Sequence, residues 1–237
     1  MSAKSKLIIK CNSLLIKKFG VPKRQKPLPD PLDLLIATIL SQNTNDNNSF
    51  KAYQNLKQRF SNWKELLVVK RTKIEQLIRV AGLAEQKSKT IKNLLKELVE
   101  KDDIALSFLN NMNNELALNE LTRFNGIGIK TASCVLLFAM NRNICPVDTH
   151  VHRTVNRIGI VSEKTADKTF NSLNENFPDG TAHSFHTNLI RLGREICKPK
   201  NPKCHECPFK KICQFDDKNF EISGVSNSSS FMLLDNV

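Results

Sequence analysis

The sequence predicts an all-α protein, and three observations carry that prediction. Apolar residues recur mostly at helical spacing. Alternating β-branched runs bounded by turns, the mark of strands, are nearly absent. Only 8 glycines and 9 prolines punctuate the 237 residues.

The first helix is expected from Lys4 to Phe19, stopped by Gly20. The stretch from Val21 to Pro31 holds four prolines and three basic residues and reads as a linker. A helix from about Asp33 to Leu40 carries Leu34, Leu35, Ile36, Ile39 and Leu40, is apolar on most faces, and is expected to be buried. The polar run Ser41-Gln42-Asn43-Thr44-Asn45-Asp46 interrupts it, and Asn45 or Asp46 can cap the helix that continues to Phe60. Short helices follow over Trp63–Val69 and Lys73–Val80, with Gly82 as a stop. Ser88 or Thr90 is expected to open a helix to about Lys101, and the Asn-rich stretch from Ile104 to Asn114 reads as loop. Further helices are expected at Leu116–Phe124, Lys130–Met140, Thr149–Ile158, Lys164–Phe177 and Ala182–Ile196. The Ser- and Asn-rich end, residues 217–237, reads as a disordered tail.

Charge narrows the partners. There are 36 Lys plus Arg against 23 Asp plus Glu, a formal net charge of +13, which favours a polyanion, nucleic acid before a membrane surface. No apolar stretch is long enough to span a bilayer, and the basic N-terminus lacks an apolar secretory segment, so the expectation is an intracellular soluble protein with no membrane partner. Of the seven cysteines, four crowd into residues 197–213. In an intracellular protein such clustering points to a metal site rather than to disulfides.

Two local patterns carry chemistry. In Leu121-Thr-Arg-Phe-Asn-Gly126-Ile127-Gly128-Ile129-Lys130-Thr131-Ala132, a tight turn with alternate glycines joins two helices. Glycine lets the backbone approach a ligand, and the N–H groups at the start of the next helix can bind phosphate without reading base sequence. Taken alone, such a turn is also what any two helices need. The second pattern is Cys197-x6-Cys204-x2-Cys207-x5-Cys213. Four thiolates so close together suit zinc or an iron–sulfur cluster, although zinc ribbons usually show two Cys-x2-Cys knuckles and only one is present.

In combination these residues resemble the endonuclease III family of DNA glycosylases. Gly126-Ile-Gly-x-Lys130-Thr-Ala is similar to its helix–hairpin–helix, and Cys145-Pro-Val-Asp148-Thr-His150-Val-His152-Arg153 to its Val-Asp-Thr-His segment. Ile39–Asp46, Ile78-Arg-Val-Ala-Gly82-Leu83 with Lys87-Ser-Lys, and Leu192-Gly193-Arg194 match as well, so that the likeness covers about residues 30–215. The cysteine spacing matches the family's [4Fe-4S] loop residue for residue, and the resemblance therefore implies a [4Fe-4S] cluster on Cys197, Cys204, Cys207 and Cys213.

The resemblance also implies the fold and the chemistry. The fold would be two-lobed: a helical barrel with the hairpin over residues 30–140, and an iron–sulfur lobe from residues 1–29 and 141–216, with DNA bound across the cleft between them. Lys130 would be the nucleophile that displaces a damaged base, an oxidised pyrimidine, from C1′, forming a Schiff base that allows β-elimination on the 3′ side of the abasic site. A lysine of ordinary pKa, about 10.4, needs help to attack, which desolvation and a helix N-terminus both provide. Asp148 would take the lysine's proton or stabilise oxocarbenium charge. Each has a plainer reading: a phosphate-contacting or solvated lysine, and an aspartate that merely caps a helix. Family members lacking the lysine remove bases without cutting the strand, so Lys130 argues for the bifunctional class.

The contacts expected with duplex DNA are the hairpin residues Gly126, Gly128, Ile129 and Thr131, the loop lysines Lys198, Lys200 and Lys203, and the amides Gln42 and Asn43, candidates to fill the stack vacated by an extruded base. Here the chain departs from the bacterial pattern Ser-Ala-Gln-Ala-Thr-Asp, reading Ser41-Gln42-Asn43-Thr44-Asn45-Asp46. The remaining expectations are a monomer acting on DNA with damaged bases or abasic sites, in the cytoplasm and nucleoid of a prokaryote or the nucleus of a eukaryote. The rival readings are a glycosylase for uracil or thymine opposite guanine, a non-catalytic DNA-binding protein, and a zinc-binding nucleic-acid adaptor.

Overall fold

The computed structural model describes residues 1–221, which form helices and connecting turns with no strand among them. The stretch from residue 222 onward, where most of the expected disordered tail falls, lies outside the described residues. The described chain divides into two compact units, one from residues 25–142 and one from residues 1–24 together with 143–221.

The continuous unit is built on two buried helices. Helix α2 (Pro31–Ser41) starts at Asp30, whose carboxylate accepts from the amides of Leu32 and Asp33, with Pro31 at its first position, where a missing N–H costs nothing. Every residue from Leu34 to Leu40 is buried, because helices α3 (Asp46–Arg59), α6 (Ala84–Glu100) and α8 (Ile129–Phe138) pack around it. Helix α8 is likewise buried from Thr131 to Phe138. Short helices α4 (Glu65–Val68) and α5 (Arg71–Ile78) lie against α6, and α7 (Asn114–Thr122) leads through the glycine turn into α8. Two 3-10 turns, Arg79–Ala81 and Ser107–Asn111, join them. The second falls in the stretch expected to be loop, where the Asp103 carboxylate accepts from the amides of Ser107 and Phe108.

Several helix ends fall two or three residues from the sequence reading, among them that of the helix Ala166–Asn174, which stops short of Phe177, and the start of α6 departs furthest. Helix α6 begins at Ala84, not at Ser88 or Thr90. Its entry is set by Leu83 in the left-handed conformation (φ 48°) rather than by a side-chain cap. Ser88 bonds back to the Glu85 carbonyl, and both Ser88 and Thr90 are buried inside the helix.

In the other unit, α1 (Ala3–Phe19) buries Ile8, Cys11 and Leu15 on one face and packs on α11 (Ala182–Glu195). Helix α9 (Thr149–Ile158) packs on α11 and on α10 (Ala166–Asn174). The cysteine segment follows α11 and holds a 3-10 turn at Cys204–Glu206.

Candidate functional site

In the continuous unit, the glycine turn ends on Gly128, the N-cap of α8, which offers no side chain to the helix start. The first capped bond is Ala132 N–H to Gly128 O, 3.0 Å, so the amides of Ile129, Lys130 and Thr131 are left as a cluster of donors. A Cβ at Gly128 would meet nothing within 4 Å, and the backbone there stands open to a ligand. Gly126 has φ +86°, a left-handed conformation, and lies against Thr90 so tightly that a Cβ would come within 2.5 Å of its hydroxyl. Lys130 is the second residue of α8 and half-buried. The Thr131 side chain is buried, leaving only its backbone N–H to meet a phosphate.

The polar loop beside the hairpin separates its two amides. Gln42 ends α2 and turns inward: its Nε2 donates to Gly126 O at 3.1 Å and lies 3.4 Å from Thr131 Oγ1. Asn43 is exposed and held at φ 51°. Leu83, which the sequence placed in a family-like segment but not among the DNA contacts, has the same two properties: it is 49% exposed and sits at φ 48°. An apolar side chain displayed on strained backbone is the kind of wedge that unstacking proteins insert between bases. Its sequence signal is faint, a leucine directly after a helix-stopping glycine.

In the discontinuous unit, Asp148 is the N-cap of α9, its Oδ1 accepting from Val151 N–H at 2.8 Å. The plain capping role is therefore real, and it also fixes the carboxylate, leaving Oδ2 without a hydrogen-bond partner among the described residues. His150 is held below its ordinary pKa, chiefly by burial; the Asp148 charge opposes this and the Arg153 and Arg194 charges add to it. His152 packs locally, its Nδ1 2.7 Å from Thr169 Oγ1. Arg153 donates to the carbonyls of Gly193 and Cys197, both at 2.9 Å, tying α9 to the end of α11.

The four cysteines gather next to α9. Arg157, another residue the sequence reading missed, lies 3.6 Å from Cys197 Sγ, donates to the carbonyls of Lys198 and Pro199, and stacks on Phe215 with 3.8 Å to the ring centre. Its own carbonyl accepts from Cys213 Sγ and from Gln214 N–H. All four thiols lie close enough to act on one another electrostatically, and burial pushes Cys207 up to about 11. Yet among the described residues no three ligating side chains are arranged to grip a single metal ion. A lone zinc at about 2.3 Å from each sulfur would draw the thiolates within about 4 Å of each other. Four clustered thiols are a donor set that an iron–sulfur cluster takes. Lys200 is exposed on the loop, whereas Lys203 is half-buried and paired with Glu206 at 3.7 Å.

Residues 36–179 match the HhH-GPD superfamily of base excision DNA repair proteins, and residues 197–213 match the iron–sulfur binding domain of endonuclease III. Endonuclease III of Thermotoga maritima is 35% identical over 85% of this chain and 89% of its own length. The chain belongs to the endonuclease III family. As a member it is a DNA glycosylase that carries a [4Fe-4S] cluster on the cysteine segment. A putative DNA glycosylase of Arabidopsis thaliana is 38% identical over 78% of this endonuclease III-like chain and 64% of its own. A solved endonuclease III, trapped as a covalent intermediate with DNA in an estranged-adenine complex, superposes with a TM-score of 0.75 at 27% identity, covering 90% of this chain and 97% of that one.

Proposed function

We propose that this glycosylase also cleaves the strand: it removes oxidised pyrimidines from duplex DNA through a lysine imine and breaks the 3′ C–O bond of the resulting abasic site. The observation that carries this reading is the position of Lys130, half-buried in the first turn of α8 beside unpaired helix amides suited to a phosphate. An amine held next to a bound phosphate is within reach of the sugar on the same nucleotide. In the proposed sequence Lys130 Nζ attacks C1′, the base leaves with the bond electrons, and the amine gives up a proton; the C1′–O4′ bond then opens, O4′ taking up a proton, to leave the protonated imine on C1′. Removal of the C2′ proton then expels the 3′ phosphate, and water returns the free lysine. Asp148, oriented by its cap bond, accepts the proton of the attacking amine through Oδ2.

The rest of the binding surface follows from exposure. Asn43 and Leu83 would enter the stack around the extruded nucleotide, while Gln42 stays tethered to the hairpin. Lys198 and Lys200 would contact phosphate from the cysteine loop. Cys197, Cys204, Cys207 and Cys213 would hold the cluster, which would tie that segment to itself, while Arg153 and Arg157 join the segment to α9. The relative trapped as a covalent intermediate with DNA supports an imine route.

Borohydride trapping on duplexes carrying an oxidised pyrimidine, with wild type against Lys130→Ala, is the test. A covalent adduct from wild type alone is expected. Base release with no adduct would replace the lyase reading with a monofunctional one, and release from U·G or T·G pairs alone would replace the lesion. An adduct that persists in Lys130→Ala would move the nucleophile elsewhere.

A further inference from the structure

Lys87 is fully buried, at 2% exposure, and no step of the proposed reaction uses it. It sits in the first turns of α6, with its backbone amide bonded to Leu83 O at 2.9 Å. Its ammonium donates to two main-chain carbonyls, Leu40 O and Ala81 O, each at 2.8 Å. Both carbonyls belong to helix ends. Leu40 is the penultimate residue of α2, and Ala81 closes the 3-10 turn before Gly82. The last carbonyls of a helix have no amide of their own to accept from, and when buried they need another donor. A lysine supplies three donors from one point.

Each of the two segments that follow these carbonyls carries an exposed residue in the left-handed conformation. Asn43 lies three residues past Leu40, and Leu83 two residues past Ala81. One ammonium therefore ties these two segments together. The next turn of the same helix face presents Thr90 to Gly126, and Gln42 reaches the Gly126 carbonyl. Helix α6 thus braces both loops and the hairpin from beneath.

We infer that Lys87 is a positioning residue: by holding Leu40 O and Ala81 O on one ammonium it fixes the distance between Asn43 and Leu83, the pair that enters the base stack. This rests on the reading of those two residues given above. Extruding a paired base needs both wedges in register, whereas an abasic sugar has no base to extrude. Loss of Lys87 should therefore slow base removal far more than cleavage of a preformed abasic site.

The experiment compares wild type with Lys87→Met, which keeps the length and loses the donors. Single-turnover base release from a paired lesion, cleavage of an abasic-site duplex, and amide hydrogen exchange of the unliganded protein are measured together. The expected result is a 10- to 100-fold fall in base release, abasic-site cleavage within threefold of wild type, and faster exchange at residues 41–45 and 81–84 together. Unchanged base release, or an equal fall in both activities with unchanged exchange, would overturn the inference. Lys87→Gln, whose shorter amide reaches one carbonyl at most, replaces the methionine variant if that variant does not fold, and the same criteria then decide. If wild type cleaves no abasic site, the lyase reading fails separately, and the exchange and base-release arms still judge Lys87.

Discussion

Gly126→Ala probes the hairpin most directly. The substitution carries two penalties that can be separated. Alanine at φ +86° pays for a left-handed backbone, about 1–2 kcal/mol. Its Cβ would also lie 2.5 Å from Thr90 Oγ1, 2.9 Å from Cγ2 and 3.3 Å from Cβ, and overpacking of this kind costs about 1–3 kcal/mol. The sum, about 2–5 kcal/mol, corresponds to a fall in Tm of roughly 4–20 °C for a chain of this size. Adding Thr90→Ala removes the two closest atoms and leaves only the 3.3 Å contact, so the double variant should recover the packing part and keep the backbone part. Gly159→Ala is the control. Gly159 also has φ +86°, but its Cβ would meet only the tip of the Gln214 side chain, which can swing away. It should lose about 1–2 kcal/mol. Urea unfolding of wild type, Gly126→Ala, Thr90→Ala and the double variant, read as a double-mutant cycle with Gly159→Ala alongside, checks this, with a coupling energy of about 1–2 kcal/mol expected between positions 90 and 126. If Gly126→Ala costs no more than Gly159→Ala and Thr90→Ala restores nothing, the close packing of the hairpin on α6 is not what holds it.

Two further outcomes concern α9. Asp148→Asn keeps a good cap for the Val151 amide, so its melting temperature should stay within about 2 °C of wild type, while base release falls at least about 100-fold with the carboxylate's charge and basicity; equal activity in stopped assays would reduce Asp148 to a cap. His150 has a folded pKa below the ordinary 6.5, so the unfolded chain takes up its proton first as pH drops, and stability must fall with pH through the window below about 6.5. His150→Gln should flatten that part of the profile in urea melts between pH 5 and 7.5, and a slope identical to wild type would refute the assignment.

What the sequence made legible was written locally. The Asp148 cap, the glycine turn and the cysteine spacing each lie within a few residues of the structure they specify. The start of α6 was not legible, because it depends on a leucine in a left-handed conformation instead of on a capping side chain. Lys87 was hidden for a different reason. A lysine among charged neighbours on a helix reads as solvated, and the carbonyl that makes its burial tolerable belongs to Leu40, 47 residues away. Arg157 was similarly masked, since its partners Lys198, Pro199 and Phe215 come together only after α9 and the cysteine segment have packed.

The chain order of the two units has a bearing on synthesis. Helix α1 emerges from the ribosome first, yet the helix it packs on, α11, starts at Ala182. At about 5–20 residues per second its partner arrives roughly 10–30 s later. During that interval residues 25–142 can complete a core of their own, while Ile8, Cys11 and Leu15 remain an uncovered apolar stripe on a helix too short to be stable unaided. A nascent chain stalled after residue 142 has emerged but before Ala182 has been made would carry a finished hairpin unit and an uncovered apolar face on α1.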